Sequence, residues 1–163
     1  IYGFRRQFLL DSGVSLQPIR HEDENYVPRV LVRARRVQFK PIEVFYYFIR
    51  SDSYMNGYKA SNLVDLLTAV SGMRDDILQN YMDDEELCKA IVKRSSAYTF
   101  SAIKRSVREH FGNEEMLIRY ARMHSLLPLR NYKFNFKKFL LNNYPGAFVK
   151  YYSMVAKPRI AVR

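Results

Sequence analysis

Thr99-Phe100-Ser101-Ala102-Ile103-Lys104-Arg105-Ser106-Val107-Arg108-Glu109-His110-Phe111-Gly112 carries the clearest helical periodicity in the chain. Phe100, Ile103, Val107 and Phe111 recur at steps of three and four, which places them on one face of an α-helix, and Gly112 stands where such a helix ends. Thr99 reads as its start. Lys104, Arg105 and Arg108 fall off this apolar seam and form a basic opposite face. A face of that kind suits a polyanion, and it equally suits an ordinary solvated surface.

The residues that follow favour the polyanion. From Met116 to Arg163 there is no Asp or Glu, while Arg119, Arg122, Arg130, Lys133, Lys137, Lys138, Lys150, Lys157, Arg159 and Arg163 are interleaved with nine Tyr and Phe residues. Cations without local carboxylates leave a positive field for an external group to neutralise. Within this stretch Glu114 to His124 reads as a helix with Leu117, Tyr120, Ala121 and His124 on one side. Asn135 reads as the cap of a helix holding Phe136, Phe139 and Leu140, stopped by Asn143 and Pro145-Gly146. Phe148 to Tyr152 then packs on the body as helix or strand.

Upstream of Thr99, Asp83 and Asp84 cap a helix whose first turn holds Glu85 and Glu86, where the helix dipole favours negative charge. Ser61 to Gly72 and Met73 to Met82 read as two further short helices, the first closed by its glycine. Pro41 to Arg50 reads as another, with Pro41 at the first helical position. Val30 to Phe39 alternates apolar and polar residues and reads as a strand, with Arg33, Arg35 and Arg36 as a secondary basic patch or as charges guarding a sheet edge. His21-Glu22-Asp23-Glu24-Asn25 reads as a solvated acidic loop: its neighbouring side chains point in different directions, and no second acidic cluster completes a metal cage. The first segment, up to Leu16, is one or two turns of helix or a packed arm ended by Gly13.

Composition narrows the class. The 163 residues are 48% hydrophobic, enough for one compact domain or two small packed subdomains divided near residue 82. The formal charge of +11 lies mostly in the second half: residues 83–163 contribute +9 and residues 1–82 only +2. Cys88 is the only cysteine, which rules out an intrachain disulfide and fits an intracellular, cytoplasmic or nuclear setting. No histidine stands near Cys88 in sequence to activate it, and His110 and His124 lie 14 residues apart with no cysteine beside them at ligand spacing, so no catalytic residue, metal or cofactor is expected. No apolar run is long enough to span a bilayer. A start at Ile1 fits a processed product or an excised piece.

Tyr132, Phe136, Lys138-Phe139-Leu140 and Pro145, preceded by a helix that closes on Phe111-Gly112, resemble the end of a LOTUS (OST-HTH) domain over about residues 83–152. The resemblance implies a winged-helix-like fold, RNA binding, or docking onto a germline DEAD-box helicase. Independently of it, the expected fold is mainly α, a compact multi-helix domain with a small β element. The expected function is a non-catalytic nucleic-acid-binding module, with RNA favoured. Lys104, Arg105, Arg108, Arg119, Arg122, Arg130, Lys133, Lys137 and Lys138 would meet phosphates, and an exposed aromatic, Tyr132 first among them, would stack on unpaired bases. The competing classes are a module docking an acidic protein partner, such as an RNA helicase, and a viral nucleoprotein or structural protein.

Overall fold

The computed structural model of the protein describes residues 3–41, 59–130 and 133–155. The helix expected over Pro41 to Arg50 lies, but for Pro41 itself, outside the described residues, as does Tyr132. Seven helices occur among those described: α1 (Arg6–Ser12), α2 (Glu22–Leu31), α3 (Ala60–Asn80), α4 (Glu85–Arg108), α5 (Glu114–Met123), α6 (Phe136–Asn143) and α7 (Pro145–Val155). The protein is mainly α. No strand and no helix long and apolar enough to cross a membrane occurs among the described residues.

α3 and α4 are the long elements, and each replaces two of the expected short ones. α3 buries Leu63, Leu66, Leu67, Val70, Met73 and Ile77 at helical spacing, and the stripe runs through Gly72 without a break. A glycine inside a helix costs about 1 kcal/mol relative to alanine, but this one makes room for a neighbour. A Cβ at Gly72 would lie 2.8 Å from Asn25 Nδ2. Asn25, on α2, is fully buried, and its Nδ2 donates to the Ala69 carbonyl at 3.0 Å while its Oδ1 accepts from Arg29 Nη1 at 2.9 Å. The glycine is therefore a contact point between α2 and α3.

α4 absorbs the expected cap at Thr99 in a similar way. Thr99 Oγ1 donates to the Ser95 carbonyl at 2.8 Å and Ser95 Oγ to the Val92 carbonyl at 3.0 Å, so both hydroxyls bond within their own helix. Both residues are buried, and tertiary packing overrides their preference for a helix start. Asp84 does cap α4, accepting from the Leu87 N–H at 2.9 Å.

The strand expected over Val30 to Phe39 does not form. Its first residues end α2, where Val30 is fully buried, and Val37 and Phe39 beyond it are exposed. The acidic loop is corrected with it: Glu22, Asp23 and Glu24 occupy the first turn of α2, where their charge complements the helix dipole. What holds α2 is a polar face. Arg33 Nη1 and Nη2 reach the two oxygens of Asp76 on α3 at 3.0 and 3.2 Å, and Arg29 Nε lies 3.3 Å from Oδ2. Burial alone would raise the Asp76 carboxyl, but the hydrogen bonds and charges of Arg33 and Arg29 outweigh it and hold the group below the usual carboxylate range.

α3, α4, α5, α6 and α7 share one apolar cluster, with residues from Leu63 to Phe148. The segment between α5 and α6 is pinned by side chains rather than by a ladder. Asn142 accepts from the Leu129 N–H at 2.7 Å and donates to the Leu129 carbonyl at 3.1 Å, and the Arg130 N–H donates to Ser96 Oγ at 2.8 Å. Leu126, Leu127 and Leu129 are buried beneath these bonds. The short pair α6–α7 is thereby fixed against α4.

Candidate nucleic-acid interface

The basic residues of the second half divide according to what surrounds them. Lys104 on α4 and Lys138 on α6 both approach the ring of Phe100, with Nζ at 6.0 and 5.7 Å from its centroid. Phe100 lies 5.9 Å from Phe148, and Phe148 stacks on Tyr152 at 5.5 Å. Lys137 Nζ stands 5.3 Å from the Tyr152 ring. Three lysines from two helices thus gather over a continuous run of three rings. Ring faces attract ammonium groups through the π-quadrupole, each contact contributing about 0.5–1 kcal/mol at an exposed site. A ring positions the cation without cancelling its charge, as a carboxylate would.

The local sequence explains the placement. Phe100 and Lys104 are four residues apart and meet on one side of α4. Asn135 caps α6, accepting from the N–H groups of Lys137 and Lys138 at 3.0 and 3.3 Å, and so sets both lysines in the first helical turn. Pro145 begins α7 where a helix stop is expected, since proline is favoured in a first turn. Phe148 then falls on the inner face of α7 and is fully buried.

Ser96, Phe100 and Lys104 follow one another along α4 at four-residue intervals, about 6 Å each. Arg130, tied to Ser96 by its backbone N–H, is exposed. Lys133 precedes α6 and is exposed.

The other expected site residues stand elsewhere or are engaged. Arg108 Nη2 lies 2.9 Å from Glu109 Oε1, and both side chains are largely covered. Arg105 is half-buried, with its Nε withdrawn from solvent. Arg119 pairs with Glu115 at 3.0 Å across one turn of α5, an exposed contact that stabilises little and can be exchanged for another anion. Arg119 also lines a shallow depression with Met116, Tyr120 and Met123, and Arg122 is exposed on the same helix. Arg33 belongs to the Asp76 bridge, which leaves only Arg35 and Arg36 exposed in the secondary patch. Arg94 is likewise committed, at 2.6 Å from Glu24 Oε2 and 3.2 Å from the Tyr98 hydroxyl. Burial, with Glu24 alongside, pushes the Tyr98 phenol up to about 12.

Periodicity places Phe100 in the apolar seam and says nothing of Phe148 as its neighbour, so the ring run escapes a reading of the sequence. The four-residue step from Phe100 to Lys104 is the one local signal of it. Tyr120 and His124 are accounted for without a ligand: the Tyr120 hydroxyl is 2.8 Å from Thr68 Oγ1, and the His124 ring stacks on Tyr120 at 4.2 Å. Among the described residues, no three His, Cys, Asp or Glu side chains are gathered as a metal site. Comparisons with family models, with curated proteins and with solved structures find no match to this chain.

Proposed function

We propose that the protein is a non-catalytic nucleic-acid-binding module, and that its ligand is RNA. Phosphates would be met by Lys104, Lys137 and Lys138, with Arg130 and Lys133 at the margins. The observation that carries the proposal is the placement of three ammonium groups against aromatic rings, two of them, Lys137 and Lys138, in the stretch from Met116 onward that has no Asp or Glu. The rings gather these cations at one place, where a phosphate backbone would find them together. The LOTUS-like residues of α6 and the start of α7 add support for RNA over DNA, and Lys138 belongs to both sets.

A fluorescein-labelled oligouridine titrated with the protein tests this by anisotropy. Binding should be micromolar or tighter at low salt. Five phosphate contacts on a single strand imply a log-log salt slope of roughly 3 to 4, hence a loss of about 10²-fold between about 50 and about 200 mM salt. Absence of binding at low salt, or a flat dependence, would contradict phosphate contacts and turn attention to an acidic protein partner.

A further inference from the structure

The sequence Lys133-Phe134-Asn135-Phe136-Lys137-Lys138-Phe139 sets three phenylalanines among three lysines, and the fold leaves those rings open. Phe134 is 82% exposed, Phe136 56% and Phe139 42%. Large apolar side chains concentrated at one exposed place mark a binding surface more often than chance scatter. We propose that Phe134, Phe136 and Phe139 are a stacking platform for unpaired bases, which makes the site selective for single-stranded over duplex nucleic acid. This rests on the nucleic-acid reading and specifies its ligand.

The rings are partly ordered before any ligand arrives. Phe134 leans on Phe139 at 6.4 Å with planes 46° apart, and Phe136 meets Tyr151 of α7 edge to face at 6.2 Å. Such contacts restrict rotamers, so less freedom is lost on binding. The Asn135 cap fixes Phe136 at the first position of α6. The adjoining lysines supply the complement to a phosphate backbone. Every base has a π-face, so the platform tolerates sequence, but a duplex keeps its bases stacked inward and offers only its phosphates. Duplex binding should therefore use the lysines alone.

The test compares oligouridine, an RNA duplex and poly-glutamate as probes for the wild-type chain and for F134A/F136A/F139A. The triple variant should lose oligouridine affinity by at least on the order of 10²-fold, since each stacked base contributes a factor of about five or more, while duplex affinity stays unchanged. The corresponding triple leucine variant keeps apolar bulk without a ring face and should lose nearly as much. Full binding by the leucine variant would overturn stacking, and wild-type binding of oligouridine no tighter than duplex would overturn selectivity while leaving the phosphate contacts intact. A loss of poly-glutamate binding equal to that of oligouridine would make the rings a protein-docking anchor and overturn the platform. No wild-type binding to either RNA would instead remove the reading beneath it.

Discussion

Reversing Lys104, Lys137 and Lys138 together to glutamate should weaken oligouridine binding on the order of 10²-fold or more at about 0.1 M salt. It should also lower the log-log salt slope by about 2, since each lost phosphate contact on a single strand accounts for roughly 0.7. Folding should survive, because the three side chains are only half-buried and their ring contacts contribute about 0.5–1 kcal/mol each. Far-ultraviolet circular dichroism and a denaturant midpoint near that of wild type would check that point. The control is R35E/R36E, which changes net charge on exposed residues outside the acid-free stretch. Arg33 must be left out of that control: its reversal would set a carboxylate against the partly buried Asp76 and disturb the packing of α2 on α3. Equal losses in both variants would mean that net charge, and not placement, attracts the RNA.

Phe148→Ala should cost about 3–5 kcal/mol of folding stability, the range for emptying a buried phenylalanine site. The ring has no exposed surface and lies between Phe100 and Tyr152, so the void would open where α7 meets α4. Against a typical total of about 5–15 kcal/mol, that loss is large. Urea unfolding should show a lower midpoint. The same substitution should weaken oligouridine binding in the fraction that remains folded, because Phe100 and Tyr152 would lose the support that sets the lysines. Phe148→Leu leaves a smaller cavity and should cost less stability, yet it also removes the central ring of the run. A loss under about 1 kcal/mol for the alanine variant would mean that α6 and α7 are not held by this core.

Features decided within a few residues are legible in the sequence. The Asp84 and Asn135 caps, the extent of α5 and the end of α1 at Gly13 all follow from local chemistry. Where the reading departs from the fold, a distant contact decides. Gly72 resembles a helix end until Asn25 is seen against it, and Thr99 resembles a cap until its hydroxyl is found bonded within α4. The end of α2 resembles the start of a strand because the apolar alternation from Val30 is visible while the anchors are polar: Asn25, Arg29 and Arg33 follow at four-residue steps and reach α3. The site follows the same division. An acid-free run announces Lys137 and Lys138, whereas the rings beside them are Tyr152 and, 52 residues earlier in the chain, Phe100. Glu109 and Glu115, close in sequence to Arg108 and Arg119, pair with charges that the composition counts as available.

Ultraviolet cross-linking of the protein to oligouridine at low salt, followed by mass spectrometry of the joined peptides, tests the central claim most directly. Cross-links should concentrate between Lys133 and Phe139 and on α4 around Phe100 and Lys104, and they should fade as salt rises. Cross-links confined to the surface around Arg35 and Arg36, or to the Met116 and Met123 face of α5, would contradict the assignment of the RNA to the lysine and ring cluster.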